Sequence, residues 1–228
     1  MRSASSLVAD VRQALLMSAD PALAPGMRAY MKSDMPYLGV RVPQVRRVVR
    51  TAVAAAPPTA LIPHVLGPAA VLWREAEFRE HRYAAAALLA TSPARRLLDP
   101  DALPLIEEMI VTGAWWDHVD EAAHRVGHLL LTHPAATVPL MRSWQTSPDR
   151  WLRRVSVIGQ LGARNRTDRA LLAEAVEANQ DDPDFFLRKA IGWALREYAK
   201  TDPSWVSGFV ATHPGLSPLS RREALKHL

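Results

Sequence analysis

The chain has 228 residues, 49% hydrophobic and 22% charged, which is enough apolar material for a packed core and excludes a disordered chain. It carries 28 Lys and Arg against 23 Asp and Glu, a net charge of +5 with an isoelectric point near 10.0, a balance that suits a polyanionic partner. The absence of cysteine excludes disulfides, thiolate nucleophiles and cysteine-ligated zinc or iron–sulfur sites.

The first residues, MRSASSLVAD, contain no apolar signal-peptide core, and no run of 18 apolar residues follows anywhere, so no secretory signal or membrane span is predicted and a cytoplasmic protein is expected. In chain order, LVADVRQALLM (7–17), PQVRRVVRTAV (43–53), HRYAAAALLA (81–90), LIEEMIV (105–111), RVGHLLL (125–131), LLAEAVEA (171–178) and KAIGWALREYA (189–199) repeat their apolar residues at helical period. They are rich in Ala, Leu and Arg, and alternating β-branched runs are scarce, so the fold class is all-α. Ser, Thr, Asp or His precedes proline in TSP (91–93 and 146–148), LDP (98–100), THP (132–134 and 212–214), DDP (181–183) and TDP (201–203). Each pair reads as an N-cap followed by proline in the first helical turn, which predicts short helices with tight connections.

Helix starts bearing Arg or aromatic residues recur near 80, 117, 153, 188 and 221, about 35 residues apart, the period of helical-pair repeats that stack to bury a shared face. The expected architecture is an α-solenoid of HEAT-like repeats forming a single domain over residues 1–228. The second helix of each pair would line a concave groove carrying Arg153, Arg154, Arg188, Lys189, Arg221 and Arg222 as a basic stripe suited to a duplex backbone. Solvated first turns are the plain alternative, although cations there oppose the helix macrodipole.

On a helix through 115–131, Trp115 shares its face with Val119, Ala122, Val126 and Leu129, which predicts a core side chain. Trp116 shares a different, polar face with Asp120 and His124. Trp193 stands between Lys189 at i−4 and Arg196 at i+3, on a face distinct from the apolar stripe through Phe186, Ala190, Ala194, Leu195 and Tyr198. One repeat before Lys189 lies Arg154, with Arg153 as the near alternative. Two indoles, a carboxylate and arginines converging on a basic groove would make a site for a cationic substrate, because indole faces attract cations and a carboxylate stabilises positive charge developing on a sugar. Asp120, His124 and His128 rotate around the helix over about 12 Å of axis and cannot share one ion, and HRVGH (124–128) lacks the glutamate of a zincin helix. No metal and no cofactor are expected. The ten glycines are scattered, so no phosphate-binding loop is present.

The blocks AYMKSDMPYLGVRVPQVR (29–46), FREHRYAAAALL (78–89), WWDHVD (115–120), WLRRVSVIGQL (151–161), FFLRKAIGWALREYAKTDP (185–203) and PLSRREALKHL (218–228) together resemble the AlkD-like DNA alkylation repair family of bacterial DNA glycosylases. The resemblance implies a HEAT-like solenoid that grips duplex DNA and excises cationic N3- and N7-alkylpurines such as 3-methyladenine and 7-methylguanine, without flipping the base, in base excision repair; a monomer is the default expectation. It places the family's two tryptophans, aspartate and arginine on Trp116, Trp193, Asp120 and Arg154. Asp120 would stabilise the oxocarbenium-like sugar and orient water, the indoles would pack on the deoxyribose, Arg154 would hold a phosphate, and Tyr30 would help line the lesion site. The resemblance also implies a further helix beyond ALKHL (224–228). A non-catalytic DNA-binding repeat protein is the alternative, and a HEAT scaffold for protein partners is a further one.

Overall fold

The computed structural model describes residues 4–55 and 65–228, and among them every regular element is helical. The chain divides into two compact units, Met1–Leu98 and Asp99–Leu228.

In the first unit, α1 (Ala4–Met17), α3 (Val42–Ala55), α4 (Leu66–Arg74) and α5 (Arg79–Ala90) pack together, with α2 (Ala24–Met31) and the short α6 (Ser92–Leu97) beside them. Helix α3 buries Val45, Val49 and Val53, spaced one turn apart, and leaves Arg46, Arg47 and Arg50 exposed. The most demanding feature of this unit is the fully buried carboxylate of Glu80 on α5. It accepts the backbone N–H groups of Leu38, Gly39 and Val40 at 2.9–3.0 Å. Gly39 makes the convergence possible: its φ of +86° turns successive N–H groups toward one anion, and a Cβ there would lie 1.9 Å from the Asp20 carbonyl oxygen. The Tyr37 and Tyr83 hydroxyls meet at 2.9 Å, and Arg79 donates to both Tyr83 and Ser33. The PYLGV and FREHRY stretches are therefore two halves of one buried polar joint.

The second unit continues with α7 (Leu103–Gly113), α8 (Trp116–Thr132), α9 (Pro134–Gln145), α10 (Arg150–Ile158), α11 (Arg169–Glu177), α12 (Phe185–Ala199), α13 (Pro203–Thr212) and α14 (Pro218–Ala224). Four helix pairs follow one another, and their second members form a row: α8 packs on α10, α10 on α12 and α12 on α14. This is the stacking of an α-solenoid. Helix α7 lies against α8, α9 against α8 and α10, α11 against α9 and α10, and α13 against α12 and α14. The core is the apolar stripe of each second helix, as in Val119, Val126 and Leu129 of α8 or Leu187, Ala190 and Leu195 of α12.

The proline punctuation holds in part. Pro134 and Pro203 begin α9 and α13, and Asp202 caps the latter through the Trp205 N–H. In TSP (146–148) and DDP (181–183), however, proline precedes the cap. The capping residues are Asp149 and Asp184, whose carboxylates each accept two N–H groups of the first turn, because the aspartate after proline is the one that reaches them.

The Glu80 joint gives a direct test. Glu80→Ala strands three buried N–H groups and should lower the unfolding free energy by roughly 3–5 kcal/mol in urea titration. Glu80→Gln, which keeps one acceptor oxygen, should lose about half as much. A loss below about 1 kcal/mol for the alanine variant would contradict this role.

Candidate active site

Helix α7 ends with Ala114 in the left-handed region, φ 43°, and Trp115 then adopts an extended backbone before α8 starts. Trp115 is consequently not on the helix, as its sequence periodicity suggested, but at the N-cap. Its half-buried ring packs edge-on to Phe186 with centroids 5.6 Å apart and to Trp151 at 6.4 Å, while Trp151 and Phe186 lie 5.0 Å apart. The guanidinium of Arg150 sits over Trp151. This aromatic cluster ties together the N-terminal ends of α8, α10 and α12. Trp116, the first residue of α8, projects elsewhere.

Trp116, Arg154 and Trp193 line one cavity of about 300 Å³, together with Phe185, Phe186, Lys189, Arg196 and Glu223. Trp116 comes from α8, Arg154 from α10, Trp193 from α12 and Glu223 from α14, so the row of second helices assembles the site. Phe185 is 58% exposed at its edge.

Asp120 lies one turn after Trp116; it is not in the cavity lining itself but pairs with Arg154, which is. The guanidinium forms a two-pronged pair with the carboxylate, Nε to Oδ1 at 2.8 Å and Nη2 to Oδ2 at 2.9 Å. Its remaining nitrogen, Nη1, donates to the carbonyl of Phe186 at 2.5 Å. The Arg154 side chain is only 6% exposed and Asp120 17%. Arg154 is thus committed in three directions within the protein, and its geometry is that of a residue that orients a carboxylate rather than the open phosphate contact expected from the sequence. Each carboxylate oxygen retains a lone pair for another group. Arg153, the near alternative, does not line the cavity.

The expected basic stripe is also rearranged. Arg153 donates to the carbonyls of Ser147 and Pro148 and pairs with Asp182. Arg188 donates to the Asp182 carbonyl, and Arg221 to those of Val210, His213 and Leu216. Each of these arginines stands four residues after a capping side chain, Asp149, Asp184 or Ser217. The cations sit in an unfavourable end of the helix dipole because loop carbonyls and neighbouring carboxylates compensate. They staple the inter-helix loops. Lys189 is 42% exposed along its side chain, and Arg222 is exposed at the surface. Tyr30 lies on α2 in the first unit and is 74% exposed.

Lys189 and Arg196 both pair with Glu223, the former at 3.1 Å. Hydrogen bonds from Lys189, then from Arg196, outweigh burial and hold the Glu223 carboxyl below its ordinary 4.5. Sequence periodicity could not pair Glu223 with these cations, because nothing local connects α14 to the indole face of α12. Phe185 directly precedes the apolar stripe of α12, so periodicity alone does not mark it as a site residue.

The family model described as DNA alkylation repair enzyme matches residues 11–228. A solved structure described as a predicted DNA alkylation repair enzyme from Enterococcus faecalis superposes with a TM-score of 0.81 at 27% sequence identity, covering 92% of this chain and 96% of its own. No curated protein matches the chain. Among the described residues no helix is long and apolar enough to cross a membrane.

The two adjacent tryptophans should separate experimentally. Trp115→Ala opens the three-ring cluster and should cost about 3 kcal/mol of stability, whereas Trp116→Ala, at a cavity wall, should cost under about 1 kcal/mol in the same denaturant titration. Equal losses would contradict the division.

Proposed function

Because the chain belongs to the DNA alkylation repair enzyme family, we propose that it is a monofunctional DNA glycosylase that hydrolyses the N-glycosidic bond of cationic N3- and N7-alkylpurines in duplex DNA. In this reading it acts without base flipping, as a monomer in the cytoplasm, and opens base excision repair. The family match runs through both compact units, which supports reading the whole chain as one repair domain.

The observation that carries the reading is the state of the cavity's acids. A glycosidase ordinarily sets two carboxyl groups about its bond, one of them protonated to help the leaving group depart. Among the described residues the carboxylate that lines the cavity is Glu223, and in the free protein hydrogen bonds from Lys189 and Arg196 hold its carboxyl below the ordinary range, which disfavours the protonated form a general acid needs. Asp120 is bound by a guanidinium on both oxygens. Such a site offers no protonated carboxyl to a departing base, and it suits a base that already carries positive charge and leaves as a neutral molecule.

In this mechanism Asp120, oriented by Arg154, stabilises the oxocarbenium-like sugar as the glycosidic bond breaks and directs water to the anomeric carbon. The indoles of Trp116 and Trp193 flank the deoxyribose, where their π-faces favour the same positive charge. Arg154 acts as a positioning residue through Asp120, and DNA phosphates fall to cations with free donors, Arg222 among them. Tyr30, exposed on the first unit, is assigned a role in contacting the DNA on the resemblance alone.

Release of 7-methylguanine from alkylated duplex DNA tests the reading. The wild type should release it well above the spontaneous rate, Asp120→Asn should be slower by about 100-fold, and an uncharged purine adduct should stay in place. A wild type that binds DNA yet releases nothing would leave a non-catalytic DNA-binding protein instead.

A further inference from the structure

Lys189 and Arg196 stand on either side of Trp193 on one face of α12, at i−4 and i+3, and both line the cavity. Their charges converge on a single group: Lys189 Nζ meets Oε1 of Glu223, and Arg196 Nη1 meets Oε2. The carboxylate is delivered there by a close approach of helices. A Cβ on Gly192 would lie 2.5 Å from the Glu223 Cβ and 3.0 Å from the Ser220 carbonyl oxygen, so α14 can seat itself on α12 only over a glycine. Ser220 Oγ donates to the Arg188 carbonyl at 2.9 Å, and the three carbonyl contacts of Arg221 fix the start of α14. Glu223 is therefore held by its backbone over the two cations, independently of its own ion pairs.

We infer that Lys189 and Arg196 form a seat for one phosphate of the DNA backbone beside Trp193, and that Glu223 occupies this seat in the free protein and yields it on binding. The inference rests on the DNA reading above. A phosphodiester offers what the carboxylate offers: one negative charge and two oxygens able to accept from an ammonium and a guanidinium. The half-exposed Lys189 side chain leaves the seat open to a ligand entering the cavity. Because the tethered Glu223 competes for the same two cations, the seat contributes less to duplex binding than an unoccupied pair would. It gains most where the indoles and Asp120 are engaged as well, which favours lesions over undamaged duplex.

The test is binding of an unmodified duplex, followed by fluorescence anisotropy over a series of salt concentrations. Glu223→Gln frees both cations for phosphate, so its affinity at low salt should rise by about tenfold and its log–log salt slope should steepen by about 0.9, the value of one added phosphate contact. Adding Lys189→Gln and Arg196→Gln to that variant should remove the gain. Lys189→Gln alone, at a half-exposed position that the fold tolerates, should weaken binding and flatten the slope whether or not Glu223→Gln folds. If wild type binds while Glu223→Gln and Lys189→Gln both keep its slope, the trio is only a tie between helices and the seat is overturned, with the DNA reading intact. If neither wild type nor Glu223→Gln binds duplex in a salt-dependent way, the DNA reading falls and the seat falls with it.

Discussion

The contact on which the site depends is the pair between Asp120 and Arg154. It joins α8 to α10 and, through the Phe186 carbonyl, both to α12, so three consecutive second helices are held in register by one guanidinium. Its energetics favour fixed geometry over stability. Desolvating two opposite charges costs much of what their attraction returns, but removing one partner from such a pair typically costs about 3–5 kcal/mol because the other is left unpaired. A carboxylate so held can accept from substrate or water only in the direction its remaining lone pairs allow. Pre-organisation of this kind is what an electrostatic catalyst requires, since it need not reorganise as charge develops.

The repeat that builds this arrangement has a local chemical cause. An aspartate or serine caps a second helix, and an arginine four residues later reaches back to the loop carbonyls just before it, as in Asp149 with Arg153, Asp184 with Arg188 and Ser217 with Arg221. Over the last three helix pairs the period of about 35 residues in the Arg-bearing helix starts was legible because this cap and staple recur there. The purpose of the arginines was not legible. A sequence shows cations where the helix dipole disfavours them, and both a ligand and a loop carbonyl would account for that. Only the positions of carbonyls brought in from the preceding loop separate the two.

The same distinction runs through the site. Helical phase told Trp116 from Trp115 and put Asp120 and Trp193 on polar faces, since phase is fixed within one helix. It misjudged Trp115's backbone, because the residue that takes the left-handed conformation and ends α7 is Ala114 rather than the Gly113 before it. It could not find Glu223, whose partners Lys189 and Arg196 come from another helix across the Gly192 contact. In the first unit, the stretches around Tyr37 and Glu80 carried the family resemblance, and the structure explains them as fold machinery: a nest of three N–H groups closed by a buried carboxylate. Conspicuous motifs there mark a joint that must form, whereas those in the second unit mark a cavity that must stay open.

In the proposed glycosylase Arg154 acts through Asp120, and a double-mutant cycle on the rate of 7-methylguanine release tests that coupling. If the two residues form one unit, Asp120→Asn and Arg154→Gln each slow release, and the double variant is no slower than Asp120→Asn alone. Single effects that multiply in the double variant would show that Arg154 works independently of the carboxylate, and the account of the site would be wrong.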